Sequence, residues 1–210
     1  MSYTKNSSTI LNEVIVSRKH ILEMLKCRDY DISKYENQSH EELKILIANE
    51  DLDMELENTQ KKQLYVKYLI LNKIKNTTLE KEINELILNR YLDKNNEDFD
   101  LIFIIKDRKT VSLQKVIDSY IAKKYNIQVF WIKNLLYNVL EHDSVPKHRI
   151  ITNEECIELK KKYNIQKNGM PLINRNDPVA QYLGMLPGNI CEITRKSETS
   201  GEYLTYRLCY

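Results

Sequence analysis

The sequence predicts an α/β protein, α+β over the whole chain, with two domains at residues 1–143 and 144–210. Residues 99–132 have the pattern of a strand, an amphipathic helix and a second strand, which is the order of a βαβ crossover in a parallel sheet. A polar, proline-containing segment at residues 142–148 then separates two differently built halves. Beyond it, two segments with the alternating pattern of β-strands flank a Gly-containing turn. We therefore expect an α/β N-terminal domain and a small mixed α+β C-terminal domain.

The first part of the N-terminal domain combines helical and extended patterns. Apolar residues recur at helical spacing between Leu11 and Leu25, after a polar run at residues 7–9. An acidic stretch follows, in which we expect a short helix near residues 40–49 and then an exposed connector. Residues 64–71 are β-branched and aromatic enough for a strand, with a helix as the alternative.

Two capped helices and two strands complete the domain. Thr78 is expected to cap a helix that carries Leu79 and Ile83 on its apolar face. Residues 99–105 form a buried strand and residues 106–110 a basic, polar loop. Ser112 is expected to be the N-cap of the next helix, which leads to a strand at residues 127–132.

Short residue patterns in the C-terminal domain mark where its helices begin and end. Thr152-Asn-Glu-Glu155 is a capping box that opens a helix. Asp177 and Pro178 suit the N-cap and first position of another helix, and Gly184 suits its end, where a positive φ is needed. Residues 189–196 and 203–209 then pair as antiparallel strands.

The composition excludes several classes of protein. Its 32 Lys or Arg against 30 Asp or Glu give a net charge of +2, so nucleic-acid contacts must come from local clustering of cations. The four cysteines form no CxxC pair, the four histidines show no HxxxH spacing, and no Gly-rich phosphate loop is present. The longest apolar run, residues 101–105, is too short to span a bilayer. We expect an intracellular soluble chain with reduced thiols, no metal and no cofactor.

Several short motifs in fixed order give the last seventy or so residues a specific resemblance. The motifs are Val145-Pro-Lys-His148, Asp177-Pro-Val-Ala-Gln-Tyr-Leu-Gly184, Pro187-Gly188, Arg195-Lys-Ser-Glu-Thr-Ser-Gly201 and Tyr206-Arg207. This block resembles the fifth-largest subunit shared by the eukaryotic nuclear RNA polymerases. It is also similar to the small archaeal RNA polymerase subunit that consists of this domain alone.

The N-terminal half resembles the eukaryotic jaw domain more weakly. The similar segments are Ile21-Leu-Glu-Met-Leu25, the following Cys27-Arg-Asp-Tyr30 and Leu136-Tyr-Asn-Val-Leu-Glu-His142, whereas residues 50–98 match poorly. A jaw domain distinguishes the chain from the archaeal form and implies a eukaryote or a large eukaryotic DNA virus. A composition rich in Asn, Ile and Lys suits a virus with an AT-rich genome.

The resemblance implies a non-catalytic polymerase subunit. In this family the C-terminal domain docks on the largest subunit and the jaw domain projects toward the downstream duplex, while the metal-binding aspartates belong to the largest subunit. The expected partners are therefore the largest and other polymerase subunits and downstream double-stranded DNA, contacted without regard to sequence, with no membrane and no small-molecule substrate. The expected location is the nucleus for a cellular protein, and a cytoplasmic viral factory or the virion for a viral one.

The candidate DNA contacts lie in the basic loop and at the start of the helix after it, where anions are favoured. They are Lys106, Arg108, Lys109, Thr110 and Ser112. The family's loop usually carries Thr-Pro-Ser here, whereas this chain has Thr110-Val111-Ser112. The alternative is a solvated turn without a partner.

The candidate subunit contacts lie in the C-terminal motifs. They are Asp177, Pro178, Tyr182, Gly184, Arg195, Lys196, Ser197, Glu198, Thr199, Gly201, Tyr206 and Arg207. The alternative is a purely structural role: Asp177, Pro178 and Gly201 are fully explained as helix and turn residues. The cations among the candidates are explained equally well as solvated surface charge. Amphipathic rings suit half-exposed contact positions, which favours Tyr182 and Tyr206 first.

Two functions of other classes remain as alternatives. Asp98 or Asp100 together with Asp107-Arg-Lys109 imitates the carboxylate layout that binds Mg²⁺ in restriction-type nucleases. A free-standing DNA-binding adaptor is the second alternative. Co-purification with the two largest polymerase subunits would separate either from a polymerase subunit.

Overall fold

The computed structural model describes residues 2–70, 76–94, 99–123, 125–163, 169–197 and 201–210. The chain divides into two compact units, Met1–Tyr137 and Asn138–Tyr210. Neither unit's described part contains a helix that is both long and apolar enough to cross a membrane.

In its described residues, the N-terminal unit contains a four-stranded sheet and four α-helices. The helices are α1 (Ser2–Cys27), α2 (His40–Ala48), α3 (Asn76–Lys94) and α4 (Val111–Ala122), and the strands are β1 (Met54–Glu57), β2 (Gln63–Leu69), β3 (Phe99–Ile105) and β4 (Asn126–Trp131). The strand order is β1-β2-β3-β4, with β1 antiparallel to β2 and the other neighbours parallel. The predicted parallel crossover from β3 through α4 to β4 is confirmed, and so is β2 as a strand rather than a helix.

One part of the core of this unit lies between the sheet and two helices, α3 and α4. Six of the seven residues of β3 are buried, because β3 is flanked by strands on both sides and covered by helices. Leu79 and Ile83 of α3 and Leu113 and Ile117 of α4 pack in one cluster with Phe103 of β3. These contacts position the end of β3 and the start of α4, which the basic loop joins.

The structure corrects the predicted helix starts. The N-cap of α4 is Thr110, not Ser112: its backbone is extended, with ψ 159°, and its Oγ1 accepts the N–H of Leu113 at 3.2 Å. Ser112 instead lies in the first turn. Thr78 lies inside α3, and α1 begins at Ser2, ahead of the polar run. Where hydroxyl side chains stand close together, the backbone conformation decides which of them caps.

The exposed connector expected after α2 is wrong in part, because it contains β1. Met54 and Leu56 are buried while Glu55 and Glu57 are exposed. This alternation is the period of a strand with one face on the core. The strand was not predicted because it has only four residues and lies in an acidic stretch of the sequence.

The C-terminal unit has its own sheet, in the order β5-β7-β8-β6. The elements are β5 (Lys147–Ile150), α5 (Asn153–Tyr163), β6 (Leu172–Ile173), α6 (Pro178–Leu183), β7 (Ile190–Ser197) and β8 (Gly201–Cys209). The chain also forms short 3₁₀ helices at Ile132–Leu135 and Val139–Glu141, one in each unit. β7 and β8 are antiparallel, as predicted, and the predicted capping box is present, since Thr152 and Glu155 exchange backbone N–H bonds at 2.7 and 3.3 Å.

Candidate nucleic-acid and subunit interfaces

Four cations lie where β3 and β4 end. Because these strands are parallel, their carboxyl ends meet at one edge of the sheet, so the loop after Ile105 lies beside the turn after Trp131. We call Lys106, Arg108, Lys109 and Lys133 at this edge the basic edge; all but the half-buried Lys109 are exposed. The structure thus brings the three predicted cations together and adds Lys133, which the sequence reasoning missed.

Trp131 connects the members of the basic edge. Its Nε1 donates a hydrogen bond to the carbonyl oxygen of Lys106 at 2.8 Å. The guanidinium carbon of Arg108 lies 5.0 Å from the centre of the ring, and Nζ of Lys133 lies 5.6 Å from it. Both distances are in the range of cation–π attraction. Trp131 was also missed, although its position at the end of a predicted parallel strand was a usable signal.

The two predicted hydroxyl contacts have local partners. Oγ1 of Thr110 caps α4 and lies 3.0 Å from Oγ of Ser112. Oγ of Ser112 lies 3.5 Å from Oδ1 of Asn76. Both residues are exposed, so a phosphate at the first turn of α4 would meet their hydroxyl groups as well as the backbone N–H groups.

Around α6, three candidate contacts act as helix punctuation. Oδ1 of Asp177 accepts the N–H groups of Val179 at 2.9 Å and Ala180 at 3.4 Å, and Pro178 opens the helix. Gly184 ends it with φ 71°, a left-handed conformation that favours glycine. Tyr182 is 8% exposed in this chain, so the expected half-exposed position is wrong for this ring. Tyr182 lies on the buried side of α6.

The β7–β8 hairpin carries the cationic candidates. Arg195 stands opposite Tyr203 and Lys196 opposite Glu202. Lys196 is exposed, Arg195 is half-buried, and Nε of Arg195 is buried without a hydrogen-bond partner in the described part of the chain. Tyr203 and the neighbouring Leu204 are 40% and 53% exposed, an apolar contribution that the sequence reasoning did not include.

The remaining candidates of the hairpin differ in how they are placed. Ser197 pairs with Gly201, whose φ of 73° fits the predicted turn, while Glu198 and Thr199 lie outside the described residues. Arg207 is half-buried and stands opposite Cys191.

Tyr206 belongs to a charged cluster inside the C-terminal unit. Its hydroxyl donates to Oε2 of Glu192 at 3.1 Å, and Arg149 contacts Glu192 at 3.1 Å and both oxygens of Glu155 at 2.9 Å. Burial, followed by the carboxylate of Glu192, raises the pKa of Tyr206. The N–H of Thr152, followed by Arg149, lowers the pKa of Glu155. Tyr206 is half-buried, as expected for a contact residue.

The carboxylates of the nuclease alternative do not converge. Asp100 lies at the start of β3, where Lys62 Nζ contacts its Oδ1 at 2.8 Å and the Tyr30 hydroxyl donates to its Oδ2 at 3.0 Å. Asp107 follows the other end of the strand, roughly 17 Å or more away at the rise of a β-strand. One Mg²⁺ cannot bind both. Asp98 lies outside the described residues, and those described contain no group of three His, Cys, Asp or Glu side chains arranged to hold a metal.

Comparison with known proteins identifies the C-terminal unit first. The family described as RNA polymerase Rpb5, C-terminal domain, matches residues 137–209. Over nearly the full length, the chain is 31% identical to the DNA-directed RNA polymerases I, II, and III subunit rpabc1 of Dictyostelium discoideum; the 202 matched residues are 95% of this chain and 98% of that protein. The chain belongs to the Rpb5 (RPABC1) family. The RPABC1 subunit of Caenorhabditis elegans is 38% identical over 107 residues, which are 51% of this chain and 50% of that protein.

Membership of the Rpb5 family confirms the resemblance and settles the general role. The protein is a non-catalytic subunit of a multisubunit DNA-directed RNA polymerase and acts in transcription. The suggested viral origin stays a prediction.

Proposed function

We propose that the two domains divide the work of this polymerase subunit. Residues 144–210 form the assembly domain that docks on the largest subunit, and residues 1–143 form a jaw that lies beside downstream double-stranded DNA. The main support is the distribution of the features: the Rpb5 C-terminal match covers residues 137–209, whereas the basic edge belongs to the other unit.

The β7–β8 hairpin is the proposed docking surface. It combines the exposed Lys196 with exposed apolar side chains, and the half-buried Arg195 has an unsatisfied buried N–H in the described part of the isolated chain. A buried donor without a partner is costly, so a carboxylate or carbonyl of a neighbouring subunit would stabilise this side chain. A mixture of aromatic, aliphatic and Arg side chains is typical of the centre of a protein–protein interface.

The basic edge is the proposed DNA contact of the jaw. Cations in the loop before a helix N-terminus suit phosphate oxygens, and phosphate contacts position a protein on a duplex without reading its sequence. Lys133 joins the five candidates that the sequence predicts, which are Lys106, Arg108, Lys109, Thr110 and Ser112.

The test compares two charge reversals in polymerase assembled with this subunit. Arg195→Glu with Lys196→Glu should release the subunit from the largest subunit while the chain stays folded. Lys106→Glu with Arg108→Glu and Lys109→Glu should leave assembly intact and weaken the hold on downstream duplex, with a smaller salt dependence, because fewer counterions are released. The measurements are co-purification and a salt titration of DNA binding.

A matched control reverses Lys44 and Lys81, exposed lysines on α2 and α3, and should change neither result. If the loop variant leaves the polymerase while the hairpin variant stays bound, the assignment of dock and jaw is reversed.

We also infer that the subunit works in the nucleus, because its relatives are named as subunits of RNA polymerases I, II and III. Imaging of a fluorescent fusion tests this. Accumulation in a cytoplasmic viral factory or in virions would support the viral origin instead.

A further inference from the structure

Two like charges share one aromatic ring at the basic edge. Arg108 and Lys133 both lie within 6 Å of the Trp131 ring centre, and neither forms an ion pair with a carboxylate among the described residues. Two positive charges that lie beside the same ring repel each other. The attraction of the ring for cations opposes this repulsion and restricts where the two long side chains can lie.

The indole nitrogen adds a second constraint, on the backbone. Through its bond to the carbonyl oxygen of Lys106, Trp131 ties the first residue of the basic loop to the end of β4. The backbone pairing of Ile105 with Trp131 sets this distance, because the two residues are the last of neighbouring strands. A single side chain thus contacts three of the four residues of the basic edge.

The ring itself is poorly placed to stack on a nucleobase. A stacking platform needs an open aromatic face. Here the N–H group is engaged by Lys106 and two cations lie near the ring, which is half-buried. The arrangement therefore favours contact with a phosphate backbone through the cations rather than with bases through the ring.

We propose that Trp131 is a positioning residue for DNA binding: it holds Arg108 and Lys133 where both reach phosphates of one duplex. The proposal rests on the proposed function of the jaw and deepens it by naming the group that pre-organises the cations. Fixing a flexible cation before binding lowers the entropy cost of the contact. The ligand is double-stranded DNA, bound through its backbone.

The full chain with a short blunt-ended duplex provides the test. Trp131 is the only tryptophan in the sequence, so its fluorescence reports directly on the site. Addition of duplex should change the fluorescence of the wild-type protein to saturation, and binding should weaken with salt. Arg108→Gln with Lys133→Gln should lower the salt slope by about 2, since two phosphate contacts are lost.

Variants of Trp131 distinguish positioning from a merely structural role. With binding followed by the anisotropy of labelled duplex, Trp131→Leu should weaken binding about fivefold and lower the salt slope. Trp131→Phe keeps a ring without the N–H and should retain most of the slope. In the background of the Arg108 and Lys133 changes, Trp131→Leu should have no further effect on the slope. Circular dichroism checks that each variant is folded, and Tyr137→Leu, which removes an exposed ring of the same unit, is the control.

Each failure has a separate meaning. If Trp131→Leu leaves the slope unchanged while the cation variant lowers it, the positioning role is wrong and the jaw function stands. If the wild type binds no duplex, or the cation variant binds as the wild type does, both fall together. Tighter binding of single-stranded than of duplex DNA, abolished in Trp131→Leu, would overturn the proposal in favour of base stacking.

Discussion

Asp177 offers a direct test of whether a family motif residue is structural. Its carboxylate accepts two N–H groups of α6, but the bond to Ala180 is long at 3.4 Å, so removal costs essentially the one good bond to Val179 at 2.9 Å. Pro178 remains and keeps the first turn pre-organised. We therefore expect Asp177→Ala to lower the free energy of unfolding by about 1 kcal/mol. For a unit of this size, that is a fall of about 4–8 °C in the melting temperature.

The assay is thermal unfolding of the full chain by circular dichroism, with hydrogen exchange and mass spectrometry to localise the effect to α6. Asp177→Asn keeps an acceptor at the N-cap and should cost only a few tenths of a kcal/mol. Asp143→Ala removes an exposed carboxylate outside any helix or strand and should stay within about 0.5 kcal/mol of the wild type. Should Asp177→Ala prove neutral, or Asp177→Asn cost as much as alanine, the N-cap explanation is wrong and a contact role becomes the better one.

Three further predictions concern pH, the domain boundary and the thiols. Because the folded-state pKa of Glu155 is lowered, its bonds with the N–H of Thr152 and with Arg149 stabilise the fold above the unfolded pKa of about 4.3. This effect is lost as the pH falls through the lower folded value, so Glu155→Gln should flatten the fall in melting temperature on acidification. A fragment of residues 138–210 should melt cooperatively and at a higher temperature than residues 144–210, because it keeps the 3₁₀ helix that contacts α6, and equal melting would contradict this. Iodoacetamide should alkylate the exposed Cys27 first, as peptide mass spectrometry would show. The thiols in β7 and β8 are buried, and burial raises the pKa of both, so they should react only on unfolding.

The C-terminal unit could be predicted closely because its signals are local. A proline at the start of α6, a glycine in the left-handed region at its end and a reciprocal capping box each act within a few residues. Such signals need no knowledge of distant parts of the chain. The periodicity of β3 and α4 was equally informative, since both bury a continuous apolar surface.

Features that depend on distant partners were missed. Arg18 is 3% exposed within α1, where a charged residue is ordinarily expected at the surface. It is accommodated because its Nη1 donates to the carbonyl oxygen of Leu52 at 2.8 Å and its Nε to Oε1 of Gln38 at 2.9 Å. These partners stand 34 and 20 residues away, so no local pattern announces them.

The location of the candidate DNA site could be predicted from the sequence, but not all of the residues that form it. The basic loop followed from its place between a buried strand and a helix. Lys133 and Trp131 did not, because their relation to the loop depends on the register that sets Ile105 opposite Trp131. The hairpin residues Tyr203 and Leu204 were missed for a related reason. The alternation of polar and apolar residues predicts a strand, but it does not show which part of the sheet is left exposed to solvent.

The small number of cations at the basic edge is itself consistent with a protein that a larger assembly holds in place. Four cations that each neutralise one phosphate give a salt slope of about −3.6, so that raising the salt from roughly 50 to 200 mM weakens binding by about a hundredfold. A free-standing adaptor with a net charge of +2 has little other attraction for DNA with which to offset that loss. A chain docked through its other domain meets the duplex at a high effective concentration, so weak contacts suffice. The loop reversal should therefore weaken DNA binding by the assembled polymerase by a smaller factor than it weakens binding by the isolated chain.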